Sequence, residues 1–167
     1  MEEPPAQGPP LEILVDELSG PGIAALLAEH LRDMRATTPP ESVHALDLDG
    51  LRRPEVTVWS ARCGAEVVGC AALAELGDGH GEVKSMRTTA AHRGRGVASA
   101  LLRDLLAEAD RRGLRRLSLE TGTQGFFAPA RALYVRFGFV PCPPFAGYTD
   151  DPNSAYFTRA LTGDRAG

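Results

Sequence analysis

The stretch Glu82-Val-Lys-Ser-Met-Arg-Thr-Thr-Ala-Ala-His-Arg-Gly-Arg-Gly-Val-Ala98 carries the residue types and spacing best suited to chemistry. It reads as a strand, a sharp turn holding two glycines and two arginines, and the start of an amphipathic helix. Such a turn aims several backbone N–H groups at one point, where the helix adds the positive end of its dipole. The result is an anion site suited to phosphate. Gly94 and Gly96 let the backbone approach the anion without a Cβ in the way. Arg93 and Arg95 can supply charge-assisted hydrogen bonds from the rim.

A dinucleotide fingerprint needs a third glycine at position 99, where Ser99 stands, and no Gly-Lys-Ser/Thr ends a P-loop here. A solvated loop before a helix remains the plain alternative. The helix itself is well specified. Val97, Leu101 and Leu105 recur on one stripe with Ala98, Leu102 and Ala109 beside them. Arg111 and Arg112 suit the last turn, and Gly113 suits the position just past the end.

The segment Arg93-Gly94-Arg95-Gly96-Val97-Ala98 resembles the coenzyme A signature of the GNAT superfamily of N-acetyltransferases, Gln/Arg-x-x-Gly-x-Gly/Ala. A second stretch, Ala130-Arg-Ala-Leu-Tyr-Val-Arg-Phe-Gly-Phe139, resembles the family's Ala-x-x-Leu-Tyr-x-x-x-Gly-Phe, a helix that ends at glycine and runs into a strand. The resemblance implies an α/β (α+β) fold, a mixed central sheet with helices on both faces. It also implies that the strands before and after the cofactor helix splay apart, with acetyl-CoA in the cleft between them. Splaying leaves backbone groups unpaired, and a buried site cannot leave them so. The pantetheine arm would pair with them at Met86 and Thr88. With Arg87, Val97, Ala98 and the four residues of the turn, these form the implied cofactor site. Members of the family often carry Asn three residues before the alanine; here Phe127 stands there, so the arm must be held by backbone or apolar contact.

Moving an acetyl group from a thioester to an amine poses three tasks. An alkylamine with a pKa of about 10.4 must lose a proton, the oxyanion needs donors, and the departing sulfur leaves more easily when protonated. By resemblance Glu82 stands where several members keep a catalytic glutamate, often acting through water. Alternation along the strand puts Glu82 on one face with Lys84, Met86 and Thr88. An exposed strand-edge glutamate is the alternative. Tyr134 matches the family's tyrosine and would protonate the sulfur; otherwise it is a core aromatic between Leu133 and Phe137. The Met86 N–H is the implied oxyanion donor.

The acceptor pocket is implied to come from the first helices and the loop between the last two strands. These offer Glu41, Ser42 and His44, then Phe145, Tyr148, Asp150 and Asp151, acidic and aromatic groups that suit a small cation. Lys84 and Glu120 join the expected acceptor set, and Arg87 with Arg131 could clamp a carboxylate. His44, His80 and His92 have no metal-ligand spacing, so no metal is expected. The function expected is acetyl transfer from acetyl-CoA to a small primary amine in a ternary complex. Protein or peptide acetylation and a silent acyl-CoA sensor are the alternatives.

The whole chain bounds these readings. Its 167 residues suit one domain, expected over 11–162, with a disordered acidic, proline-rich tail at 1–10 and a flexible end at 163–167. No apolar run approaches the ~20 residues that span a bilayer, and no secretion signal is evident, so a cytoplasmic protein is expected. Three cysteines fit reduced thiols better than a disulfide framework. A net charge of −4 argues against nucleic acid as a partner. Lys84 is the sole lysine among 18 basic residues, which hints at a need for a compact charge or at chance in a GC-rich bacterial coding bias. Many members of the family form homodimers, and nothing in the sequence decides that question. The elements expected are a strand over 11–18, a helix from Pro21, a short helix over 40–46, strands at 56–62, 66–75 and 82–88, the cofactor helix, a strand at 114–120, a helix over about 126–137, and strands near 138–142 and 154–161.

Overall fold

The computed structural model of the chain describes residues 10–161. The expected tail, except Pro10, and the expected flexible end lie outside the described residues. Alternating and continuous apolar runs become β1 (Leu11–Val15), β2 (Val56–Cys63), β3 (Glu66–Gly77), β4 (His80–Thr88), β5 (Arg116–Gly122), β6 (Val140–Pro141) and β7 (Ser154–Ala160). The helices are α1 (Pro21–Thr37), α2 (Leu48–Leu51), α3 (Val97–Arg111) and α4 (Ala128–Arg136). The strands form one mixed sheet in the order β1-β2-β3-β4-β5-β7-β6, with β4 and β5 the parallel pair.

The period-2 rule sorts β3 between two helical layers. Ala71 and Leu73 pack with Val97, Leu101, Leu102 and Leu105 of α3, whereas Cys70 and Ala72 pack with Ile23, Leu26 and Leu27 of α1. Leu133 and Tyr134 of α4 join the α3 side. Helices therefore cover both faces, as expected. The helix expected over 40–46 is instead a single 3-10 turn at Pro40–Ser42, and α2 follows it. Asp47 explains the shift: its side chain accepts from Gly50 N at 2.9 Å and caps α2.

Two features of β4 make the site. It pairs with β5 only from His80↔Arg116 to Val83↔Leu119, although both strands run on beyond that point. The strands thus part, and the edge of β4 past Val83 is left without a β5 partner. The second feature is a bulge. Pairing with β3 steps from Lys84↔Ala72 to Arg87↔Cys70, so Ser85 and Met86 together oppose Ala71. Ser85 takes the left-handed conformation, with φ 54°. The extra residue reverses the alternation. Opposed residues share a face, so Arg87 joins Glu82 and Lys84 on the α1 side. Thr88, opposite Gly69, faces α3 instead, and Met86 packs with the α3-side core. The expectation that Glu82, Lys84, Met86 and Thr88 share a face is corrected by this bulge.

Candidate functional site

Helix α3 starts without a side-chain cap. Its N-cap is Gly96 at φ 83°, and Gly94 lies at φ 75°. A Cβ at either glycine would meet nothing within 4 Å, so they are required by backbone conformation and not by packing. The first N–H groups of the helix have no intrahelical acceptor and face an open cleft. That cleft, of about 490 Å³, is walled by the turn, by Met86 and Thr88 of β4, and by Phe126, Phe127 and Leu133. The ladder alternation shows which β4 groups face it. Thr89 N donates to Val68 O at 2.9 Å, so the N–H and C=O of Thr88 point the other way, toward the edge that β5 has left, as do those of Met86. An uncapped, glycine-lined helix start beside a strand edge with free amides fits a long ligand with a phosphate end and an amide chain.

Most of the cofactor residues expected from sequence are brought together: Met86, Thr88, Arg93, Gly94, Gly96, Val97, Ala98 and Phe127 all wall the cleft. Arg93 lies 5.8 Å from the Phe126 ring, and Phe127 packs edge-on to Phe126. Arg95 is exposed and outside the cleft wall. Arg87 borders the cleft, but its guanidinium is spent on α1, donating to Glu29 Oε1 at 2.7 Å and to Asp33. Arg131 donates to the carbonyls of Gly122 at 2.7 Å and Gln124 at 3.0 Å. The expected carboxylate clamp of Arg87 and Arg131 therefore does not form, because both guanidinium groups already hold the scaffold together.

A narrower pocket of about 60 Å³ lies on the α1 side of β4. Glu82, Lys84, His44, Glu120 and Tyr148 all line it, together with His30, Met34 and Ser85. Glu82 is 5% exposed. Its Oε2 accepts from Tyr148 OH at 2.5 Å and from Lys84 Nζ at 3.1 Å, and Lys84 Nζ also donates to Tyr148 OH at 3.0 Å. Burial and the Glu82 carboxylate hold Tyr148 protonated, far above the ordinary phenol range. Burial likewise pushes the Glu120 carboxyl up to about 7; Lys84 opposes this and Glu82 adds to it. His44 meets the Tyr148 ring edge-on and Phe145 lies tilted against it, with centroids 5.0 and 5.1 Å away.

Other expected acceptor residues stand elsewhere. Glu41 is exposed and outside the pocket wall, because the 3-10 turn points it to solvent. Asp150 is exposed as well. Asp151 accepts from Ser42 Oγ, which ties the β6–β7 loop to the turn after α1, and from Asn153 N within the loop. Tyr134 is 5% exposed in the core on the α3 side, T-shaped to Phe139 at 5.8 Å, and in the wall of neither cavity. Burial, with Glu120 adding, raises its phenol. The described residues include no group of three or more His, Cys, Asp or Glu that could hold a metal.

His30 is the site residue that sequence patterning did not single out. It belongs to both walls, that of the cleft and that of the pocket. One signal was present: His30 falls four residues after Leu26 and three after Leu27, a polar residue on the apolar stripe of α1.

Comparison with known proteins gives the same picture. The model of the Acetyltransferase (GNAT) family matches residues 23–139. An uncharacterised N-acetyltransferase of Bacillus subtilis (strain 168) is 52% identical over 151 residues, which are 90% of this chain and all of the relative. The IAA acetyltransferase of Azospirillum brasilense is 37% identical over 140 residues, 83% of this chain and 90% of that one. The crystal structure of a GNAT family acetyltransferase from Elizabethkingia anophelis, with acetyl-CoA bound, has a TM-score of 0.64 at 16% identity, covering 90% of this chain and 98% of its own.

Proposed function

The chain belongs to the GNAT acetyltransferase family, and on that premise we propose that it moves the acetyl group of acetyl-CoA to the primary amine of a small molecule, with both substrates bound at once. The observation that carries this reading is the pair of cavities along β4 that share His30 in their walls, an open cleft suited to a phosphate-bearing chain and a narrow pocket walled by two carboxyls. A pocket of about 60 Å³ takes an ammonium group and a few carbons. Its wall of Glu82, Glu120, His44 and Tyr148 gives that head opposite charge and ring faces.

Each residue then has a task. The turn at 93–98 holds the diphosphate with backbone N–H groups, and Met86 and Thr88 pair with the amides of the arm. Phe127 supplies apolar contact where the family often has an amide side chain. Glu82, fixed by Lys84 and Tyr148 through Oε2, receives the acceptor's proton directly or through a water. Glu120 shares the pocket as a carboxyl that changes charge near neutral pH.

By the family motif Tyr134 is the proposed proton donor to the departing sulfur, although its phenol lies in the core and walls neither cavity. Tyr134→Phe is expected to lower kcat at least tenfold while acetyl-CoA affinity, read by calorimetry, stays within threefold. Unchanged kcat, or a loss of folding, would make Tyr134 a core aromatic only.

The working compartment is the cytoplasm, a reading supported by three free thiols, Cys63, Cys70 and Cys142. Among the described residues no helix is long and apolar enough to cross a membrane. The test of the acceptor class is a panel of free amines, amino acids and short lysine peptides, read by release of the coenzyme A thiol. Turnover with a small amine at least tenfold above any peptide is expected. Release confined to peptides would replace the small amine by a protein side chain. Thermal stabilisation by acetyl-CoA without release for any acceptor would make this a silent binding module.

A further inference from the structure

The function proposed above, on which this inference rests, gives His30 no task. His30 alone among the described residues belongs to the walls of both cavities. The junction of an acyl-carrying cleft and an amine pocket is where the acetyl carbonyl must lie when nitrogen attacks. We propose that His30 is a catalytic residue that grips that carbonyl, its ring N–H donating a hydrogen bond to the acetyl oxygen from the α1 side while the Met86 N–H approaches from β4.

Three observations support the assignment. The first is fixation. Arg87 of β4 pairs with Glu29 and Asp33, which flank His30 along α1, so this stretch of the helix is tied to the strand that carries the bulge. Such anchoring matters because an oxyanion donor works only when preorganised at about 2.7–3.1 Å from the oxygen. The second is availability. Among the described residues, neither ring nitrogen of His30 has a hydrogen-bond partner, whereas His80 bonds Ser118 Oγ at 2.7 Å and His92 bonds Thr89 Oγ1 at 3.0 Å. The third is charge. Burial, with the Arg87 guanidinium adding and Asp33 opposing, pushes His30 down to about 4, so the imidazole is neutral at working pH. A neutral imidazole still has one N–H to give and does not repel an incoming ammonium. No proton changes hands in this step. The hydrogen bond shortens as negative charge gathers on the oxygen, and the ring keeps its proton throughout.

The test compares acetyl-CoA with coenzyme A, because only the former carries the carbonyl. Calorimetry on the wild type, His30→Ala and His30→Gln gives the ratio of the two affinities, and kcat is read with the best amine. A hydrogen bond of ordinary net strength predicts that His30→Ala lowers the acetyl-CoA preference about fivefold. Its coenzyme A affinity should stay within twofold of wild type. Its kcat should fall by roughly 10², and His30→Gln, which retains an N–H donor, should recover at least a tenth of the lost rate. Equal weakening toward both ligands would reduce His30 to a wall of the cleft, and an unchanged ratio with unchanged kcat would remove it from the site. Either result overturns the proposal. Binding needs no acceptor, so the ratio reads out even if no amine is turned over. In that case the function fails while the His30 contact is still tested.

Discussion

Replacement of Glu82 by glutamine is expected to lower kcat by roughly 10²–10⁴ at every pH, with acetyl-CoA affinity unchanged. The reasoning starts from the hydrogen bonds. Glu82 Oε2 accepts from both Tyr148 OH and Lys84 Nζ, so a glutamine can keep the Tyr148 bond with its own carbonyl oxygen and preserve the shape of the pocket. What it cannot do is take a proton. The ammonium head would still enter beside Glu120 but would have lost its base, so the effect belongs in kcat more than in KM. The substitution also leaves Lys84, only 12% exposed at its side chain, without its anionic partner, and a modest drop in melting temperature is expected alongside the kinetic loss. Steady-state rates at saturating acetyl-CoA over pH 6–9, with calorimetry for the cofactor, separate the two effects. Turnover within threefold of wild type across that range would take Glu82 out of the chemistry.

The cofactor side of the site was largely legible in the sequence because its signal is local. Gly94 and Gly96 stand at positive φ and the helix begins at Val97, where the apolar stripe starts. Backbone donors need no long-range contact to be placed, so a six-residue pattern suffices to find them. The residues that wall the narrow pocket were legible in type but less so in geometry. Glu82, Lys84, His44, Glu120 and Tyr148 do converge, yet three things that position them are tertiary. The bulge at Ser85 is invisible to a period-2 reading, since no glycine or proline marks it, and it sends Arg87 to α1. The Ser42–Asp151 contact joins residues 109 positions apart. Arg131 looked free to bind a carboxylate because the carbonyls of Gly122 and Gln124, which it holds, are features of backbone and not of sequence. His30 escaped notice for the same reason, as its value lies in what two cavities share.

Glu120→Gln is expected to raise stability at pH 8 and to flatten the pH dependence of activity near neutrality. The Glu120 carboxyl lies at about 7 against an ordinary value of 4.5, with burial as the main cause. A raised carboxyl means that the folded state prefers the protonated form. Below about pH 4.5 the group is protonated in both states and costs nothing. Between about 4.5 and 7 the unfolded chain ionises first, so stability falls as pH rises. Above 7 the whole penalty is present, and a shift of this size corresponds to roughly 3 kcal/mol. Glutamine carries no titrating proton, so the variant should melt several degrees higher than wild type at pH 8, with the two converging near pH 4. Under the proposed function the same ionisation is expected to act on the chemistry in the opposite sense. In the wild type, kcat/KM should climb with an apparent pKa near 7 as Glu120 gains the charge that seats the ammonium, and the variant should lose that limb while keeping the one set by the amine itself. A group that weakens the fold at the pH where it works is kept for function and not for packing. Equal melting temperatures at pH 8 would mean that Lys84 compensates the Glu120 charge fully, and the neutral limb of the rate profile would then have to come from another group.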